Sequence, residues 1–373
     1  MTLSHHVARQ TDAGNSIDAP YLRHMTDSQI RAAITSNPEG MAALVSRAFP
    51  GSSTCDARTL AEALAIAGAN FTVEKRPLAA FPTDPESALV NIAKAVQSGD
   101  ASKMSEAIGT ATPIATHVAN IRTDTCAPVG IVGADYGVVQ TSDAMASAAI
   151  LADRGDVKLA VAQVVDGGAR VRVSGLLDAY TFESLSGAPN TLANFVIWEA
   201  THDGSACTTA AIYTLRLECF NGMTSRDMIQ SHRLRHTSCA ANRVEAMTQG
   251  ILQTLIGDAE AEREIFQRLV MVKMERVEFE TFATTLLGGE LTDDCTPSKR
   301  TRREKDMEEL CNYFEGGNQG AGPTAWGAYN SVTRWVEAKR EAMTDAAKNA
   351  RKFESNLTGE GQRKVSRALR LLS

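Results

Sequence analysis

Aromatic side chains make up only 5% of the 373 residues. A surface of many stacked aromatics, the usual means of holding unpaired bases, is therefore not expected. No stretch approaches the ~18 consecutive apolar residues that a membrane helix needs. The opening "MTLSHHVARQTDAGNS" has neither the basic segment nor the apolar core of an export signal, so the reading is a cytoplasmic protein with no membrane partner. Cys55, Cys126, Cys207, Cys219, Cys239, Cys295 and Cys311 form no CxxC pair, which leaves them as small hydrophobes rather than a disulfide or zinc framework. Repeats and low-complexity segments are missing too. What is present, 43% apolar and 22% charged residues, is ordinary for a globular chain that buries a substantial core.

The net charge of −6 hides an asymmetry. Residues 296–373 carry 15 Lys and Arg against 10 Asp and Glu, so this part is basic while the remainder is acidic. Docking of the two parts on each other explains such a split, and so does a basic lobe kept for an anionic partner.

Residues 1–20 read as a loose arm. Helical spacing starts near Ser28, returns at Thr59–Ala67, and is clear in Ser87–Ser98, where Leu89, Ile92, Ala93 and Val96 share a face. From Gly130 the pattern turns to strands, interrupted by an Ala-rich helix over Ser142–Ala152. Asp166-Gly167-Gly168 and His202-Asp203-Gly204-Ser205 each mark a turn between two strands, the second pair spanning about Leu192–Ala200 and Cys207–Phe220. A short strand at His232–Thr237 leads to a helix capped by Thr237 or Ser238, with Val244, Met247, Ile251 and Leu255 on one face. Beyond Gly257 the chain reads as helical: Glu260–Glu278, a stripe of Met307, Leu310, Cys311 and Phe314, a helix opened by Pro323, and an amphipathic tail with Val365, Leu369 and Leu372. The expected class is α+β, an antiparallel sheet of about four or five strands covered by helices, with a mostly helical C-terminal part. The expected division is a mostly helical region over 1–129, a central α+β domain over 130–290, and a helical region over 291–373 docked on it.

One basic surface stands out. Arg170, Arg172, Arg216, Arg233 and Arg235 alternate with apolar residues in strand-like runs, so one side of a sheet is expected to collect five guanidinium groups. Arg grips phosphate with two prongs and stays charged at every working pH. The competing reading pairs these side chains with Glu199, Glu218 and Asp227 under a covering helix. Two further basic runs, "SKRTRREK" at 298–305 and "GQRKVSRALRLLS" at 361–373, read as a solvated helix and a docked tail; the tail alternatively faces DNA or a partner chain.

Other chemistries carry less. "GGNQGAG" (316–322) precedes a helix but lacks the Lys-Ser/Thr ending of a phosphate loop, and no cofactor is expected. His232, His236 and Cys239 have a ligand-like spacing, yet on a strand His232 and His236 stand about 13 Å apart, too far to share one ion. His202, Asp203 and Ser205 include relay residue types, but neighbours in a tight turn cannot adopt relay geometry. Asp178, Glu199 and Glu218 are the acids a metal-dependent nuclease would use, provided they converge.

Three stretches, "YGVVQTSDAM" (136–145), "THDGSACTTAAIYTLRLECFNGM" with the later "RHT" (201–223 and 235–237), and "GPTAWGAYNSVTRWVE" (322–337), resemble a phage/plasmid-like protein family built on a domain of unknown function. The resemblance covers about residues 130–373 and implies carriage on phages, prophages or conjugative plasmids, without an established activity. Strand-rich sheets backed by a helix also recur in single-strand annealing recombinases of such elements, an analogy of topology and setting. The expectation is a non-catalytic protein that binds single-stranded DNA through the five Arg residues, acting in strand-annealing recombination as a homo-oligomer. The alternatives are a factor that binds a host defence or replication protein, and a metal-dependent nuclease.

Overall fold

The structure is a computed structural model that describes residues 55, 57–80, 85–99, 102–103, 112–185, 187, 189–216, 222–223, 232–292, 295–317, 321–341 and 360–373. Two antiparallel sheets carry the strands. The smaller joins β1 (Val73–Ala80), β2 (Thr112–Arg122) and β3 (Pro128–Gly133) in that order. The larger runs β4 (Lys158–Val165), β5 (Arg170–Glu183), β6 (Pro189–Thr201), β7 (Thr208–Arg216) and β8 (Gly222–Met223), and β9 (His232–Leu234) pairs with β7 as well. The fold class is thus α+β, as the alternation of apolar residues and turn signals predicts.

The turn signals act through backbone shape. Asp166, Gly167 and Gly168 all have positive φ, which bends β4 directly into β5. At the β6–β7 turn Gly204 has φ 77°, while Asp203 Oδ1 accepts the Ser205 backbone N–H at 2.9 Å.

Nine helices are described: α1 (Leu60–Ile66), α2 (Pro85–Ser98), α3 (Thr141–Ala144), α4 (Ala146–Asp153), α5 (Val244–Met271), α6 (Arg276–Leu286), α7 (Pro297–Asn312), α8 (Ala325–Glu341) and α9 (Glu360–Leu372). None of them is long and apolar enough to cross a membrane. The segment ahead of residue 130, expected to be mostly helical, supplies β1 and β2 as well as α1 and α2. The expected helix near Ser28 lies outside the described residues. Helix α5 begins at Val244, after a short 3-10 turn over Ala241–Arg243, rather than at a Thr237 or Ser238 cap. The expected single helix over Glu260–Glu278 is two, because α5 ends at Met271 and α6 starts under a Glu275–Glu278 capping box.

Two apolar cores lie on the same face of the large sheet. The first gathers Val171, Val173, Val196, Trp198, Ala210 and Ile212 beneath α1, α4 and the first half of α5. The second starts at Tyr180 and Leu192 and continues into α6, α7, α8, α9 and the far half of α5. Register places both sets on one side, since Val173 pairs with Trp198 and Tyr180 with Leu192, at even-numbered positions of β6. At 28 residues, α5 is about 42 Å long and serves both cores, with Ile251, Leu255 and Ala259 in one and Phe266, Leu269 and Val270 in the other. All three Trp side chains are buried with a partner for the indole N–H: Trp198 donates to Ser147 Oγ, Trp326 to Asn190 Oδ1 and Trp335 to Glu309 Oε2.

Candidate functional site

The five Arg side chains do not form one exposed row. Arg172 pairs with Glu199 across β5 and β6, and their buried side chains make an ion pair. Arg170 is buried on the same face, where one Nη donates to Ser205 Oγ at 3.0 Å. Arg216 lies opposite Leu192, hence on the other face, fully buried. Its Nη1 donates to Asn330 Oδ1 at 3.2 Å, and its guanidinium sits 5.9 Å from the Trp326 ring centroid. Only Arg233, across from Thr209 at the β7–β9 edge, and Arg235 just beyond it are exposed.

The physical reason is that both faces of β5, β6 and β7 are covered. Phe195, Ile197 and Tyr213, on the face opposite the two cores, are as buried as Val196 and Trp198. Alternation therefore separates two buried faces, each of them mixing apolar and polar side chains, and guanidinium groups at such depth need partners. Of the expected carboxylates, Glu199 takes that role for Arg172; Glu218 and Asp227 lie outside the described residues. Asp178 pairs with Asn194 and so faces away from Glu199, which denies the nuclease reading a convergence of these two acids.

Between the two cores sits a polar joint. The Thr214 hydroxyl lies 2.6 Å from Glu262 Oε2 on α5 and 2.8 Å from Asn194 Oδ1 on β6, and all three residues are buried. Arg216, Asn330 and the Asn190–Trp326 pair continue it toward α8. Burial, then the Glu262 charge, holds the Tyr329 hydroxyl well above its ordinary pKa. The "GPTAWGAYN" stretch thus supplies packing and buried hydrogen bonds. Of "GGNQGAG", residues 318–320 lie outside the described residues.

The other two motif stretches meet at one end of the large sheet. Tyr136 stacks on His236, ring centroids 4.7 Å apart and 6° from parallel, and its hydroxyl donates to Thr201 O at 2.9 Å. Burial and the neighbouring Asp203 raise its pKa. His236 Nδ1 donates to Gly137 O at 3.0 Å, which leaves Nε2 to accept from the Thr208 hydroxyl at 3.2 Å and fixes the tautomer. His202 Nε2 lies 3.1 Å from Thr141 Oγ1, and burial, helped by His236 and opposed by Asp203, pushes its pKa down to about 4. Gly137 is required here, because a Cβ would stand 2.0 Å from Thr237 O. Burial lowers the pKa of His236 as well, and both its nitrogens are engaged. The cluster is a clasp between the 136–145 segment and the β6–β7 and β9 ends.

His232 turns to Thr254 Oγ1 at 2.9 Å and Cys239 is exposed, so the ligand-like spacing assembles nothing. Among the described residues no group of His, Cys, Asp and Glu could hold a metal ion.

A strongly basic concavity lies elsewhere. The C-terminal turn of α6, the first half of α7 and the start of α9 enclose an open groove of about 620 Å³, lined by six cations, Lys299, Arg302, Arg303, Arg363, Lys364 and Arg367, and two carboxylates. Asp306, one of those carboxylates, is committed to an ion pair with Lys339. Arg303 donates to Thr284 O and Gly289 O at 2.7 and 2.6 Å, and Arg367 to Thr285 O at 2.9 Å, so two cations cap the C-terminal carbonyls of α6. The Lys364 ammonium lies 4.8 Å from the Trp335 ring centroid. Lys299, Arg302 and Arg363 are exposed and make no ion pair among the described residues. The cleft on the other side of Arg303 is balanced, with Glu280, Glu290, Glu304 and Glu308 among the Arg side chains.

Sequence reading treated the 298–305 run and the tail separately and missed this site. The signals were the basic excess after residue 296 and the clustering of Lys299, Arg302 and Arg303, and of Arg363, Lys364 and Arg367, at helical spacings of three and four. No curated protein and no solved structure matches the chain. A family model described as "Domain of unknown function (DUF932)" matches residues 128–357, which takes in β3, the whole large sheet, the clasp, the polar joint and the α7 side of the groove. With most of its length under that model, the chain belongs to the DUF932 family.

Proposed function

We propose that the protein binds single-stranded DNA without catalysis, through the groove between α6, α7 and α9, as a factor carried by a phage or plasmid. The observation that carries this reading is the groove's excess of cations, six against two carboxylates, with Lys299, Arg302 and Arg363 in no ion pair among the described residues. Such a site grips phosphates and releases counterions, giving an affinity indifferent to sequence and steeply dependent on salt. Trp335, whose ring centroid lies 4.8 Å from the Lys364 ammonium, is buried in the second core and offers bases no stacking platform, which favours backbone contacts. The three motif stretches support the mobile-element setting through the resemblance they carry.

The test is retardation of a labelled single strand by the full chain at low and raised salt, with and without magnesium. Binding that weakens with salt and is lost in Lys299→Glu/Arg302→Glu/Arg363→Glu supports the proposal. No binding at low salt, or binding untouched by the triple charge reversal, overturns it. Cleavage that depends on magnesium would replace it with the nuclease reading.

A further inference from the structure

Helix α2 occupies the connection between β1 and β2 and belongs to neither apolar core. The first six residues of β2, Thr112–His117, are exposed, and Thr112–Ile114 pair with Leu78–Ala80 of β1 beyond the end of β3, so a two-stranded extension of the small sheet leads to the helix. Helix α2 turns Ala95 inward and half-buries Ile92, whereas Leu89, Val90 and Val96 are 66%, 48% and 58% exposed. Exposed Ala93 lies among these three on the helix surface, so they form a continuous outward apolar stripe. Single exposed aliphatics are ordinary, but a stripe of them on one helix calls for a cover.

The charges indicate which cover. Among 14 residues the helix has one acid, Glu86, and one base, Lys94, both exposed and set four positions on either side of Val90. A stripe with no net charge meets a copy of itself without repulsion, and antiparallel packing reverses the order of the two charges. We propose that α2 pairs with α2 of a second copy, antiparallel about a two-fold axis near the middle of the helix. Leu89, Val90 and Val96 of the two copies then cover one another, and Glu86 of each lies within one turn of Lys94 of the other. The pairing is independent of the DNA reading, since none of these residues lines the basic groove.

The experiment measures the mass of the full chain by sedimentation over a concentration series. A concentration-dependent dimer is expected, and Leu89→Glu, or Val96→Lys as a second variant, should raise its dissociation constant at least about tenfold. Both side chains are exposed in the single chain, so melting of the dilute monomer should not move. Glu86→Lys should weaken the dimer a few-fold, and adding Lys94→Glu should restore it, because only antiparallel self-pairing sets these two positions against each other. A monomer at every concentration, a dimer indifferent to Leu89→Glu and Val96→Lys, or a charge swap that fails to restore the dimer would overturn the proposal. So would a lowered melting temperature at unchanged mass, which would mean that the stripe is covered by its own chain.

Discussion

The Arg172 guanidinium and the Glu199 carboxylate meet across β5 and β6 on a face that the sheet does not share with solvent. Removing one partner strands a charge in the interior, whereas removing both does not. Glu199→Gln should cost roughly 3 kcal/mol in urea unfolding, and Arg172→Met/Glu199→Leu should recover most of that loss. If Glu199→Gln were as stable as the parent, the pair would be exposed in solution.

His202 makes folding sensitive to acid. Its folded pKa of about 4 lies below the ordinary value of 6.5, so between these pH values the unfolded chain takes a proton that the folded chain refuses. Stability is therefore complete above pH ~6.5 and falls by up to ~1.4 kcal/mol per unit as the pH drops toward 4. Burial lowers His236 in the same direction, which steepens the fall. Urea midpoints at stepped pH should show the slope, and His202→Gln should flatten it.

Gly137 and Gly133 make a matched pair. A Cβ on Gly137 meets Thr237 O at 2.0 Å, and a Cβ on Gly133 meets nothing within 4 Å. Gly137→Ala should destabilise by about 3 kcal/mol or more, through forced separation of the clasp, while Gly133→Ala stays within about 0.5 kcal/mol. Comparable thermal melts for the two would remove the clasp from the account of stability.

The groove and the β9 edge compete as polyanion surfaces. Three phosphate contacts give a salt slope near −2, hence roughly a 15-fold loss of single-strand affinity between 50 and 200 mM salt. Lys299→Ala/Arg302→Ala/Arg363→Ala should weaken binding more than Arg233→Ala/Arg235→Ala does, and should halve that slope or more. The reverse ranking would move the site to the sheet edge.

Much of the fold is legible in the residue order. Asp166-Gly167-Gly168 and His202-Asp203-Gly204-Ser205 announce their turns because few residues tolerate such backbone angles. The tail helix is equally plain, and Val365 and Leu369 are buried as their spacing predicts. The Arg residues mislead for a physical reason: a period of two says that Arg170 and Val171 face opposite ways, and says nothing about which way is wet. Arg216 falls on the other face from Arg172 because β6 fixes both registers, a relation between strands that no single strand discloses. The groove joins Lys299 to Arg363 across more than sixty residues of chain, and that proximity exists only after α6, α7 and α9 have packed.

Helix α5 is one unbroken rod in both apolar cores, and Glu262 marks where it passes from one to the other. Neither half of the molecule owns this rod, so neither can be cut away whole. Loosening the helices around Phe279 and Trp326 withdraws a wall from the sheet that holds Trp198, and the melting of either region drags the other with it. A protease acting on the native chain should accordingly trim its edges and leave no self-standing C-terminal fragment.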